Sequence, residues 1–599
     1  MAQRTKLELT WIGKENRPKL EPRILLEDPS KSYHARVRQG EGDLFDNRLI
    51  FGDNLLALRA LEAEFAGKIK CIYIDPPFNT GEMFEHYDDG IEHSIWLTQM
   101  RDRLNILHRL MTDDGTLFVH IDDNELGYLI VMLDEIFGRT NRVYTVTFKQ
   151  GSATGHKSIN PGCVNTTNYI LIYAKNKSRW SPNRVYTGRE RDTRYGQFIV
   201  NIENHHEKWE IVTLTKAFAA EMGVTDKEAR KIIKDEPERM EAFVLDNAPS
   251  VIRTARPDYD GVSDAARKMI DASKLKPKII LKLERDDHSD MYFKNGERIL
   301  FYSDKLKKVD GNYVAGEPLT TLWDDILSNN LHNEGGVEFP KGKKPEALIK
   351  RVFELATREN DWVLDSFAGS GTTGAVAHKM RRRWIMVEMG EHCHTHIIPR
   401  LKKVIDGEDA GGVTEAAGWK GGGGFRYYKL APSLLKKDKF GNWVISPEFN
   451  DAMLAEAVCK LEGFTFAPSD STYWMHGQSS ERDFIYVTTQ TLTRDMLARL
   501  SDEVGEGRTL LVVCKAFTGK QAFPNLTVRK IPKAVMSKCE WGKDDYSLEI
   551  RNLPMSVPPE KTPEVEPLPV PRGKARKAVE DAPSLFSADS GSASQGGGK

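Results

Sequence analysis

Long apolar runs, paired cysteines and an excess of charge of either sign are all missing from this chain. No stretch approaches the roughly 18 consecutive apolar residues that a bilayer-spanning helix needs. The opening, MAQRTKLELTWIGKENRPKL, is polar and lacks the apolar core of a secretion signal, so a cytoplasmic protein with no membrane partner is expected. The six cysteines, at 71, 163, 393, 459, 514 and 539, form no CxxC pair, which argues against a zinc knuckle or disulfide frame and for reduced, mostly buried thiols. Lys and Arg total 86 against 87 Asp and Glu, a net charge of -1, so the chain is not basic all over in the way of the simplest nucleic-acid-binding domains. Local basic faces stay open.

What is present is ample material for cores: 40% hydrophobic residues against 29% charged over 599 positions, length for roughly four domains. Between 46 and 180, short apolar runs alternate with helical patterns, the mark of a parallel sheet with crossover helices. Residues 69–74 (IKCIYI) read as a buried strand. Trp96, Met100, Leu104, Leu107 and Met111 recur at helical spacing, Asp114-Gly115 reads as the stop, and 116–121 (TLFVHI) and 168–174 (NYILIYA) read as further strands. From 181 to about 325 charges of both signs take over, and the sheet rhythm is lost. It resumes at about 345–405, with strands at 362–364 and 384–387 around a glycine-rich turn. The run 421–424 (GGGG) reads as a flexible link or hairpin edge. Strands at 508–514 and 526–531 belong to a last α/β portion, and the Pro-, Lys-, Glu- and Ser-rich residues from about 555 onward predict disorder.

Two segments carry chemistry. Asp75-Pro76-Pro77-Phe78 directly follows the 69–74 strand. Consecutive prolines fix both φ angles, and Pro77 holds Pro76 extended, so the Pro76 carbonyl points in a set direction beside the Asp75 carboxylate. Two aligned acceptors suit a planar NH₂ group, and Phe78 can stack on the ring that bears it. The plainer reading is a turn that happens to contain Pro-Pro. The second segment is Asp365-Ser366-Phe367-Ala368-Gly369-Ser370-Gly371-Thr372-Thr373-Gly374, between a strand and a helix. It satisfies GxGxxG, and Glu388 ends the next strand, where an acid can hold ribose hydroxyls. Alone it suits a nicotinamide dehydrogenase equally well, but DPPF has no role in hydride transfer.

Together, DPPF and FAGSG resemble the amino-methyltransferases of DNA in the β-type order, catalytic half before cofactor half. The resemblance implies an α/β, Rossmann-like fold with a mixed, mostly parallel sheet, an inserted target-recognition domain and a smaller C-terminal α/β domain. It implies S-adenosyl-L-methionine as cofactor and double-stranded DNA as substrate. Phe339-Pro340-Lys341, Lys344-Pro345 and the helix ALIKRVFELA resemble the segment that closes over the methionine end of the cofactor. Gly52-Asp53-Asn54 resembles the acidic site near the cofactor adenine, and Phe148-Lys149 with Asn165 to Tyr169 the target-base region. The implied site is therefore Asp75, Pro76, Pro77 and Phe78 for catalysis, with Asp365, Phe367, Ala368, Gly369, Ser370, Gly371, Thr372, Glu388, Asp53, Lys344 and Pro345 on the cofactor.

Leu322-Trp323-Asp324-Asp325, GGGFRYYKL and LTVRKIPKAVMSKCEW resemble modification subunits of Type III restriction systems, which implies a homodimer and a helicase-nuclease partner. Specific motifs cover about 46–180 and 320–430. Phe78 stands where tyrosine is commoner, and both stack. In the family that the chain resembles, an aspartate at the head of the motif goes with adenine, so the resemblance implies the N6 amine of an adenine, flipped out of the duplex to reach the methyl group. Rival readings are a solitary adenine or N4-cytosine methyltransferase and an idle DNA-recognition subunit. The expected segments are an N-terminal arm (1–45), catalytic half (46–180), target-recognition insertion (181–324), cofactor half (325–430), C-terminal domain (431–555) and disordered tail (556–599).

Three smaller signals have plain readings. The run 379–383 (KMRRR) reads as a solvated helix end. His392 and His396 have ligand spacing without a third ligand nearby, and no metal is expected. Leu585-Phe586 reads as a chance apolar pair, with a docking motif as the alternative. In the insertion His205, His206, Arg253, Arg256, Lys274, Lys276 and Lys278 are the candidates for base-edge and phosphate contacts, with a scaffold or dimerisation insert as the alternative.

Overall fold

The computed structural model describes residues 8–78, 83–84, 87–88, 93–151, 162–286, 288–326, 331, 334–339, 342–519, 522–531, 533, 535, 538–544 and 546. The expected tail, with Leu585-Phe586, lies outside them, as do Pro340 and Lys341. The described residues, up to 546, belong to one compact unit.

Among the described residues, eleven strands make one large sheet. Its order is Leu25–Glu27, Gly424–Leu430, Asn47–Phe51, Arg383–Glu388, Trp362–Asp365, Ile69–Ile74, Met111–Ile121, Thr167–Ala174, Arg142–Lys149 and Leu322–Trp323, with Tyr33–His34 also on Gly424–Leu430. The run from Gly424–Leu430 to Met111–Ile121 is parallel throughout. Thr167–Ala174 then pairs antiparallel on both sides. Both faces are buried by helices: one core gathers Leu56, Trp96, Leu104 and Leu117, the other Phe118, Val352, Phe353, Trp384 and Leu401. Near-continuous apolar strands such as IKCIYI are what a sheet covered on both faces requires.

The topology decides where the acids go. Trp362–Asp365 and Arg383–Glu388, late in the chain, insert between Asn47–Phe51 and Ile69–Ile74. Four parallel strands thus end side by side in Asp53, Glu388, Asp365 and Asp75, along the carboxyl edge where open α/β sheets bind ligands.

Several local expectations are corrected. The GGGG run is neither link nor hairpin edge. Gly424–Leu430 is an interior strand of the sheet, and the turn before it is clamped, with Gly422 N–H donating to the Ile405 carbonyl and Gly424 N–H to that of Leu44. A Cβ on Gly423 (φ +72°) would sit 2.7 Å from the Leu44 oxygen, so glycine serves close approach here rather than slack. The His93–Leu110 helix stops before Asp114-Gly115, and the next strand already starts at Met111. Gly115 marks the irregular register there, since a Cβ would lie 2.9 Å from the Thr112 carbonyl. Lys379 is no solvated helix end: its buried ammonium is paired with Glu346 and Asp409, 2.7 Å from each.

Residues of the 1–45 segment supply two strands to the sheet. Between 181 and 324 the chain builds an antiparallel six-stranded sheet, a three-stranded one and four helices among the described residues. Beyond 430 lies a five-stranded sheet with Asp483–Leu492, Thr509–Phe517 and Leu526–Lys530 parallel.

Candidate active site

Asp75 leaves the end of its strand exactly one position past Ile74, where the prolines forbid further pairing. The Pro77 carbonyl accepts a 2.8 Å bond from Trp96 Nε1, which fixes the turn against the following helix. Asp75 Oδ2 is 2.5 Å from Lys344 Nζ. Asp75 Oδ1 is buried and has no hydrogen-bond partner among the described residues. Burial pushes the Asp75 carboxyl above its ordinary range, and the Lys344 ammonium pulls it back. Phe78 is half-buried, with Lys344 Nζ 5.1 Å from its ring centre and the His120 ring 5.8 Å away.

His120 is a site residue that sequence reasoning missed. It lies near the end of Met111–Ile121, fully buried, edge-on to Phe148. Its Nε2 is 3.2 Å from Asn168 Nδ2 and its Nδ1 3.0 Å from Tyr73 Oη. An imidazole that accepts from the amide carries its proton at Nδ1 and donates to the phenol. Burial, with the nearby Lys344 charge, holds it well below its ordinary pKa and therefore neutral. Asn168 and Phe148, expected in the target-base region, thus line one floor with Phe78. A lone histidine in an apolar strand gives no periodic signal that marks it.

The glycine turn is built around Asp365. Its Oδ1 accepts from Phe367 N–H at 2.9 Å and its Oδ2 from Thr373 Oγ1 at 2.5 Å. Burial pushes its carboxyl up to about 7, against these two bonds and aided by the charges of Asp75 and Glu388. Gly369 (φ +52°) and Gly371 (φ +75°) are left-handed, and a Cβ on Gly374 would lie 2.3 Å from Met386. Glu388 accepts from Gly369 N–H at 2.8 Å and from Met389 and Gly390 N–H at 2.9 Å each, with His392 Nε2 3.1 Å away. The turn is anchored from behind: Arg400 donates to Thr372 Oγ1 at 2.8 Å and pairs with Glu346 at 2.7 Å. Ser370 Oγ is 3.1 Å from Thr372 Oγ1, whose hydroxyl reaches the Lys344 carbonyl at 3.4 Å. Ala368 is buried, Phe367 half-buried against the core, and Pro345 precedes the Glu346–Ala356 helix.

Asp53 caps the Asn54–Phe65 helix, accepting from Leu56 N–H at 3.0 Å. Its other oxygen accepts from Tyr546 N–H at 2.9 Å and lies 3.6 Å from Arg103. Of the histidine cluster, His394 sits between Glu391 and Tyr427, and the described residues hold no group of three metal-ligating side chains. Phe339 packs its ring 5.3 Å from that of His392.

A doubly wound sheet that sets DPPF beside a glycine turn and a strand-end acid has the Rossmann-like methyltransferase architecture. The family described as DNA methylase matches residues 69–399, more than half the chain, and the chain belongs to that family. It is 36% identical over 422 residues to the probable type III restriction-modification enzyme HindVI Mod subunit of Haemophilus influenzae, covering 66% of this chain and 55% of that protein. It thus spans about half the length of that relative. With the type III EcoP15I Mod subunit of Escherichia coli it shares 26% identity across 91% of each chain. A shorter segment is 40% identical over 140 residues to the type II methyltransferase M.EcaI of Enterobacter cloacae, covering 22% of this chain and 30% of that protein.

Proposed function

We propose that this protein transfers a methyl group from S-adenosyl-L-methionine to the N6 amine of an adenine flipped out of duplex DNA, as the modification subunit of a Type III restriction system. The observation that carries the reading is the buried Asp75 Oδ1 without a partner among the described residues, at a strand end adjoining the glycine turn. A lone buried acceptor costs about 1–3 kcal/mol, more when charged, and is retained where a ligand fills it. Ser366 Oγ, on the neighbouring strand end, is a second such atom. The cofactor fits this edge: left-handed glycines allow close backbone approach, and Asp53, Asp365 and Glu388 offer acceptors for its hydroxyls and amines.

The bound cofactor supplies a methyl group activated by a sulfonium. The protein's part is to make a poor nucleophile adequate. The adenine amine lends its lone pair to the ring, and hydrogen bonds to the Asp75 carboxylate and the Pro76 carbonyl draw the nitrogen towards a tetrahedral shape. The fixed acceptors stabilise the positive charge that grows there. Phe78 stacks on the base, with neutral His120 and Asn168 adding no charge beneath it. Positioning contributes much of the rate. Relatives named as Mod subunits of type III restriction-modification enzymes support the Type III assignment and a restriction partner, and a homodimer is part of the proposal.

The test is transfer of labelled methyl groups to PCR-amplified, hence unmethylated, DNA, followed by digestion to nucleosides. Label in N6-methyladenine is expected. Label in N4-methylcytosine overturns the adenine assignment, and no label identifies a recognition subunit.

A further inference from the structure

Lys344 reaches Asp75 from the loop before the Glu346–Ala356 helix and takes up the place of an amine. Its Nζ is 2.5 Å from Asp75 Oδ2 and 5.1 Å from the Phe78 ring centre, and its side chain is 11% exposed. These are a carboxylate acceptor and an aromatic face, the two contacts that a flipped aminopurine needs. We propose that Lys344 is a resident stand-in for the target amine, which the incoming base must displace from Asp75. The inference rests on Asp75 being the acceptor of that amine.

Four observations carry it. The pair leaves Asp75 half satisfied, with Oδ1 buried and unpartnered among the described residues. Lysines that serve structure here do otherwise: Lys379 helps saturate Glu346, which also takes Arg400 and the Val413 N–H. The Lys344 backbone is pinned through its carbonyl to Thr372 and by Pro345, while four rotatable bonds let the ammonium swing away. Lastly, few other charges among the described residues face the site. Tyr73 on the same strand and Asp365 on the next feel the Asp75 charge, and His120 feels Lys344.

Displacement has a chemical consequence. While Lys344 is in place, its ammonium offsets part of the upward push that burial gives the Asp75 carboxyl. Once the base has pushed the lysine aside, the carboxylate lacks its counter-charge and becomes a stronger proton acceptor. It does so as the methylated amine must shed a proton. The lysine therefore keeps the empty site charge-balanced without weakening the acceptor during the reaction.

The experiment compares wild type, Lys344→Met and Lys344→Arg in steady-state methyl transfer to PCR-amplified DNA across pH. Loss of the cation raises the Asp75 pKa in the free enzyme, so the acid limb of kcat/KM for DNA should move up by about one to three pH units in Lys344→Met. Lys344→Arg should keep the limb within about half a unit and lower kcat/KM about tenfold, because a forked guanidinium pair is harder to displace. An unmoved limb in Lys344→Met overturns the proposal, and so does an Arg variant that shifts as far as Met. Lys344→Gln replaces Met if the latter melts well below wild type. Binding of S-adenosylhomocysteine, read by calorimetry, adds a further check: a loss above about tenfold with an unmoved limb assigns Lys344 to the cofactor instead. A dead Asp75→Ala with an unmoved Met limb fails only the lysine, whereas an active Asp75→Ala fails the reading of Asp75.

Discussion

The two halves of the sheet end in carboxylates that are treated in opposite ways. On the cofactor side Asp365 has a partner for each oxygen, Glu388 takes three peptide N–H groups, and Glu346 is held by Lys379, Arg400 and a backbone amide. On the DPPF side Asp75 has Lys344 on one oxygen and, among the described residues, no partner on the other. On the function proposed above, the first set of carboxylates is a framework finished in advance, and Asp75 keeps an open acceptor for its substrate. The contrast also separates scaffold from chemistry in terms of stability, since buried charge that is fully paired is costly to disturb.

The sharpest way to break the comparison is at Asp75. Asp75→Asn keeps the shape but removes the charge proposed to stabilise the growing cation, so single-turnover transfer should fall by about 10²–10³-fold while S-adenosylhomocysteine binding holds. Equal losses in both would place Asp75 in the scaffold. Next comes the finished side. Lys379→Met takes the paired cation from Asp409 in the core and leaves Glu346 with Arg400, and urea unfolding should show a loss of about 3–5 kcal/mol.

Asp365 sharpens the contrast through pH. Its folded-state pKa of about 7 lies above the ordinary 3.8, so the unfolded chain ionises first as pH rises. This group's contribution to stability is therefore whole below about pH 4 and lost by about pH 7. Asp365→Asn can still accept from Phe367 N–H and donate to Thr373, so it should gain on wild type by roughly 2–4 kcal/mol over that window and keep the gain above it. Paired thermal melts at pH 4.5 and 8 read the difference, and parallel curves would sink the assignment. The smallest effect belongs to the insertion. Arg194 pairs with Asp192 at 2.7 Å but is well exposed, and Arg194→Ala should leave the urea-unfolding midpoint within error of wild type.

Legibility followed the range of the interactions. The strand before DPPF, the Trp96 helix and the glycine turn were readable because apolar period, proline and glycine act within a few residues. Gly421–Gly424 misled because glycine marks both slackness and close approach, and only the Leu44 carbonyl 2.7 Å from a virtual Cβ tells them apart. Lys379 misled because a basic run looks solvated until the partners arriving from Glu346 and Asp409 are known. His120 carried no local signal, and its role depends on Tyr73 and Asn168 across the neighbouring strands.

By itself the sequence determined the chemical parts: an acid held beside a rigid carbonyl, a stacking ring, a glycine turn and a strand-end glutamate, each set by residues adjacent in the chain. The tertiary structure alone decided their company. The strands ending in Asp365 and Glu388 insert between those leading to Asp53 and Asp75, which gathers four acids on one edge. The same crossing carries Lys344 onto Asp75. The reason is physical: backbone preference and periodicity are local, whereas a buried charge takes its partner from whatever the fold brings within about 4 Å.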